Sequence, residues 1–140
     1  MERRNFIKTS CNICLLGAAG VSLLEMAGCG AAYPVFKTEV QNKQLQVPLS
    51  LFDTSTTQFI RPKGWYYDIA VEKKDGQYFA LLLQCTHQDN QLTVNGSNSY
   101  QCSLHGSVFD KEGKVKKGPA EKALHQYKTR VENNQLIINV

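Results

Sequence analysis

Two short stretches of this 140-residue chain carry side chains suited to chemistry. Cys85-Thr86-His87 and Cys102-Ser103-Leu104-His105 each present one sulfur and one imidazole. Both groups are metal ligands, and two of each admit more than one reading. A zinc ion accepts two cysteines and two histidines, although its usual spacings group the cysteines on one side and the histidines on the other. A cluster of two irons and two sulfides takes the same four donors with both cysteines on one iron and both histidines on the other, which suits loops that carry one of each. A third reading needs no metal, since Cys85 and Cys102 of an exported protein could pair as a disulfide. Elsewhere no nucleophile, general base or substrate pocket can be named, so the chain offers no catalytic residues of its own.

The residues around these stretches call for strands. Residues 77–83 are aromatic and aliphatic and run straight into Cys85, and Asp75-Gly76 joins them to a similar run at 65–72 as a hairpin. Residues 91–94 and 99–101 flank Asn95-Gly96, a second hairpin whose return strand delivers Cys102. A third spans 127–131 and 135–140 around Asn133-Asn134, and the alternation of Leu45, Val47 and Leu49 beside Pro48 describes an edge strand. Short strands at close spacing without an amphipathic helix predict an all-β sandwich or barrel, with both Cys/His stretches on loops that a rigid scaffold can hold face to face. Trp65, Tyr66 and Tyr67 are expected in the core or on a strand face, and His125, outside both loops, at the surface.

The N-terminus has a different character. Residues 1–8 are basic, 13–28 are small or apolar apart from Ser22 and Glu25, and the pattern is that of an export signal. Arg3-Arg4-Asn5-Phe6-Ile7-Lys8 resembles a twin-arginine signal, and Met26-Ala27-Gly28-Cys29 resembles a lipobox that would make Cys29 a lipidated first residue. The expected organisation is therefore a signal over 1–28, or an uncleaved anchor, then a tether over 29–43 and a domain over 44–140. Cys11 and Cys14 fall inside the signal. A domain of this size can bury a core without disulfides or metals, so a metal site in it is expected to be functional. The formal net charge is +4, with Lys and Arg scattered and no phosphate-tracking stripe, which argues against nucleic acid.

The chain from roughly Trp65 to Val140 resembles the Rieske family. The motif C-x-H followed by C-x-x-H matches through Cys85, His87, Cys102 and His105, and similar residues continue in Gly106-Ser107-Val108-Phe109-Asp110, Gly113 to Val115, Gly118-Pro119-Ala120 and the last strand pair. The resemblance implies one 2Fe–2S cluster per chain on those four ligands, and a fold of antiparallel sheets with a small cluster-binding subdomain. It also implies that Ser107 donates a hydrogen bond to a cluster sulfur and that Gly118-Pro119-Ala120 covers the cluster. The activity it implies is one-electron transfer with a cytochrome or membrane quinol complex as partner, alone or as a subunit of an oxidoreductase. A ferredoxin feeding an oxygenase is the alternative. Together with the export signal it implies a domain anchored at the periplasmic side of the inner membrane, carried across already folded and loaded.

Two departures matter. Respiratory and photosynthetic members carry an extra cysteine in each loop, paired as a brace; Asn90 and Leu104 stand at those positions. Phe109 stands where those members often have a tyrosine that bonds a cysteine sulfur. Two ferric ions, two sulfides and two thiolates sum to neutrality, which raises the potential into a range of roughly −150 to +300 mV. Without the brace or the tyrosine hydroxyl, a low-to-middle value in that range is expected.

Overall fold

In the computed structural model, which describes residues 33–96 and 99–140, the chain is built almost wholly from strands. One sheet uses β1 (Val35–Thr38), β2 (Gln44–Pro48), β3 (Thr57–Pro62), β4 (Ile69–Lys74) and β5 (Gln77–Leu82), and later β10 (Gln126–Glu132) and β11 (Gln135–Asn139). Between β5 and β10 the chain leaves this sheet and forms a second one from β6 (Leu92–Asn95), β7 (Ser99–Cys102), β8 (Val108–Asp110) and β9 (Val115–Lys117). The seven-stranded order is β1-β3-β4-β5-β10-β11-β2, and the four-stranded order is β6-β7-β8-β9. Every pairing is antiparallel except β1 with β3. The all-β fold with a smaller inserted sheet is the one the sequence calls for.

Turn chemistry sets the hairpins. Asn133 and Asn134 both adopt positive φ, 47° and 60°, as a two-residue hairpin requires, and asparagine tolerates that region better than most side chains. Asp75 and Gly76 do the same between β4 and β5. β2 lies at the sheet edge, and Thr38 Oγ1 at the other end of the strand order reaches Gln46 O at 3.4 Å, so the sheet curls toward closure.

Three sequence readings differ from the structure. The stretch 29–43, read as a tether, contains β1, which pairs in parallel with β3; its apolar content, Val35 and Phe36, is too short to give a period. The run 65–72 is a strand only from Ile69, because Gly64, at φ 82°, turns the chain and leaves Trp65 to Tyr67 in the connection. Tyr66 there is 73% exposed, a loop aromatic outside any core. The signal, Cys11, Cys14 and Cys29 lie outside the described residues, and no helix among those described is long and apolar enough to cross a membrane.

The adjoining ends of β4 (Ile69 to Val71) and β5 (Ala80 to Leu82) are continuously apolar because the sheet is covered on both faces there. On β4, Ile69 and Val71 point into one core with Leu45, Val47, Ile60, Leu136 and Ile138, while Ala70 points into the other. On β5, Ala80 joins the first core and Leu81 the second. The second core holds Leu83, Leu92, Tyr100, Phe109, Leu124 and both cysteines. The hairpin β4–β5 is thus a partition, with the barrel interior behind it and the cysteine-bearing sheet in front.

A polar knot ties the partition to its surroundings. Asp68 is fully buried, and Arg61 clamps its carboxylate with Nε and Nη2 at 2.6 and 2.8 Å. Tyr33 OH donates to the same carboxylate at 3.1 Å while its ring lies against Phe59. The Asp68 main chain donates its N–H to Gln91 Oε1 and accepts that of Leu83. Burial, then the Asp68 charge and hydrogen bond, push the Tyr33 hydroxyl up to about 12 from its ordinary 10.0. Burial also raises Tyr100, whose hydroxyl is the one buried side-chain polar atom without a partner among the described residues. A phenol whose folded pKa is raised binds its proton more tightly in the native state, so the unfolded chain ionises first. Stability is therefore expected to be full below about pH 10 and to fall as pH rises toward about 12, with at least two tyrosines titrating late at 295 nm. All tyrosines ionising together near pH 10 would contradict this.

Candidate metal centre

The first Cys/His loop leaves the end of β5. Leu83 is buried, its N–H goes to Asp68 O, and its carbonyl accepts from Leu92 N, while a bridge joins Gln84 to Gln91. Between these bonds the chain makes a tight excursion from Cys85 to Asn90, closed by the Cys85 N–H to Asn90 O bond at 2.9 Å. The second loop leaves β7. Cys102 sits opposite Leu92 in the β6–β7 ladder, its N–H donates to Ser107 O, and its carbonyl accepts from Gly106 N at 3.1 Å. Since Leu92 follows the first loop by two residues, this register carries the second loop to the first.

The four side chains meet as two pairs. Cys85 and Cys102 are each 1% exposed, both are free thiols, and both lie in the same buried core. The His87 and His105 rings stand perpendicular with centroids 4.9 Å apart, and both residues are exposed. Among the described residues no three His, Cys, Asp or Glu side chains gather around one point: the two thiols share one core and the two rings stand face to edge, but the structure does not draw the four donors together. Burial acts to raise the Cys102 thiol, but the main-chain N–H groups of Leu104 and His105, the Cys85 thiol and the Asn90 amide outweigh it, and the net shift is downward. A sulfur ringed by N–H donors is prepared to carry negative charge.

A third segment buttresses both loops. Ser107, fully buried, accepts the Ala120 N–H on its Oγ at 3.0 Å, which leaves its own proton free to donate. Thr86 Oγ1 donates to Lys122 O at 2.6 Å. The segment after the cis Gly118-Pro119 bond is therefore bonded to the first loop through Thr86 and to the second through Ser107. His125 is exposed at the surface as expected, its ring edge-on to Tyr127 at 4.6 Å. Asn90, which sequence reasoning treated only as the site of a missing cysteine, places its amide Nδ2 3.7 Å from Cys102 Sγ.

The family model of the Rieske [2Fe-2S] domain matches residues 35–128. The chain belongs to that family. A Rieske domain binds a 2Fe–2S cluster, and the chemistry of two buried thiols and two exposed imidazoles fits a centre whose two irons differ in their ligands. Among relatives, the cytochrome b6-f complex iron–sulfur subunit of Chlorobaculum thiosulfatiphilum is 33% identical over 72 residues, covering 51% of this chain and 40% of that protein. The biphenyl dioxygenase ferredoxin subunit of Pseudomonas sp. strain KKS102 is 33% identical over 75 residues, covering 51% of this chain and 69% of the ferredoxin. The chain spans about two-fifths to half the length of the b6-f subunits it matches. Its fold is shared with a chain from the complex of reduced oxygenase and oxidized ferredoxin in carbazole 1,9a-dioxygenase, at a TM-score of 0.51 and 21% identity over 71% of this chain and 94% of that one.

Proposed function

We propose that this Rieske domain transfers single electrons at the outer face of a membrane, as a carrier or as the redox subunit of a complex that oxidises quinol or another substrate. The observation that carries this is the pairing of His87 and His105 at the surface, on the same two loops as the buried Cys85 and Cys102. In this reading Cys85 and Cys102 would hold one iron and His87 and His105 the other. When bound, the cluster supplies a single-electron redox couple of elevated potential.

The chain's own residues do the rest. Cys85 and Cys102 lie in an apolar core that excludes water, and the N–H donors around Cys102 hold negative charge on sulfur. Ser107 keeps its hydroxyl proton for a sulfur acceptor. The segment carrying Ala120 and Lys122 holds the loops from a third side. His87 and His105 present their rings to a partner. The basic N-terminal segment, the lipobox-like run and Cys29 are read as export and anchoring at the periplasmic side of the inner membrane, with a cytochrome or quinol complex as partner.

The test is to purify the chain from membranes under conditions that support cluster assembly. One 2Fe–2S cluster per chain, a rhombic signal on reduction, and oxidation of the reduced protein by a cytochrome fraction are expected. A colourless, zinc-bearing protein would sink the reading. A second reading, electron supply to an oxygenase, is favoured by one observation: the ferredoxin relative is covered over 69% of its length. Reduction by a flavoprotein reductase and delivery to an oxygenase, with no turnover by quinol-linked fractions, would select it.

Phe109 is fully buried in the core that holds both cysteines. Phe109→Tyr is expected to add a donor on the sulfur side and raise the potential. A net bond of about 1 kcal/mol corresponds to roughly 40 mV for one electron. An unchanged voltammogram would mean that the ring's edge does not approach sulfur.

A further inference from the structure

The side chain of Asn90 joins the two Cys/His loops. Its Nδ2 lies 3.2 Å from Gln91 O, 3.3 Å from Ser103 Oγ and 3.7 Å from Cys102 Sγ. Which end of the amide faces this group is fixed by chemistry. Gln91 O can only accept, so the nitrogen must point there with one proton, and its second proton is shared between Ser103 Oγ and Cys102 Sγ. The Asn90 main chain does a separate job, its carbonyl taking the Cys85 N–H and closing the first loop. One residue thus fastens the first loop at its base and reaches across to the sulfur of the second.

We propose that Asn90 is a positioning and potential-tuning residue, its carboxamide bridging the loops and donating to the Cys102 sulfur that holds the cluster. A donor on a ligand sulfur withdraws charge from it and favours the reduced state, while the bond to Ser103 holds the loop tips in register. The inference rests on the proposed ligand set. A bond to sulfur strengthens as that sulfur becomes an ionised ligand, since charge-assisted bonds are roughly twice as strong as neutral ones.

Asn90→Leu keeps shape and size without donors, and Ser103→Ala removes one end of the bridge while leaving the sulfur contact. Both are made in the full chain and compared by film voltammetry and by the rate at which cluster absorbance is lost on warming. In Asn90→Leu the electron is expected to bind roughly fivefold more weakly, a drop of about 40 mV, and cluster loss to quicken several-fold. In Ser103→Ala loss quickens less and the potential does not fall, which a purely structural role for Asn90 would not predict. Wild-type potential and loss rate in Asn90→Leu would overturn the proposal. An equal fall of potential in both variants would overturn the sulfur bond. If Asn90→Leu loads no cluster, Asn90→Ala is read by the same criteria; folded but cluster-free protein from both supports the bridge. A wild-type protein that takes up no iron defeats the ligand assignment instead, so the two failures are told apart.

Discussion

His105→Ala yields a protein that folds but carries no cluster. The side chain is exposed and makes no hydrogen bond that holds a strand, so the apo domain is expected to stay within about 0.5 kcal/mol of the parent in urea. Yet one of the four proposed ligands is gone, and iron content should fall by more than an order of magnitude. Cys102→Ala separates the roles differently. Cys102 is 1% exposed in the second core, in the same cluster as Leu92 and Phe109, so its truncation costs about 1 kcal/mol of apo stability in addition to the cluster. Iron analysis, visible absorbance and apo-protein denaturation on the same samples give the contrast. Full iron in His105→Ala would remove the ligand set, whatever the family.

Arg61→Met is expected to be the most destabilising single change outside the metal centre. It leaves the Asp68 carboxylate at 0% exposure with Tyr33 as its remaining side-chain donor. Removing one partner of a buried pair costs about 3–5 kcal/mol, and the lower figure applies because the Arg61 side chain is 36% exposed. At a urea dependence of about 1–3 kcal/mol/M the midpoint falls by roughly 1–3 M. Lys63→Met is the control, because the Lys63–Glu39 pair is 76% and 59% exposed and such a pair is worth about 0–1 kcal/mol. The damage should also reach the first loop, since Asp68 holds Leu83 and Gln91 through its main chain. Arg61→Met within about 1 kcal/mol of wild type would show that Tyr33 alone satisfies the carboxylate.

What could be read from the sequence follows from range. Asp75-Gly76 and Asn133-Asn134 fix their hairpins because the turn needs positive φ and few residues supply it. The Cys/His loops were legible because ligand chemistry constrains both type and spacing. β1 was not, since four residues bonded in parallel to a strand some twenty positions later leave no local pattern. Trp65 to Tyr67 misled because strand preference speaks to burial, and Gly64 had already turned the chain. Neither the Arg61–Asp68 clamp nor the reach of Asn90 to Cys102 has a signature in the order of residues. Each exists only once the sheets have brought separate segments together.

Gly113 ends the turn after β8 at φ 80°, and a Cβ there would lie 3.0 Å from the Leu81 side chain and 3.2 Å from Leu124. Its carbonyl accepts the Leu124 N–H, so the small sheet is pressed directly onto the large one with no room between them. Such a seam does not act as a hinge. A side chain at position 113 would have to wedge the two sheets apart, and the disturbance would reach the core that encloses both cysteines.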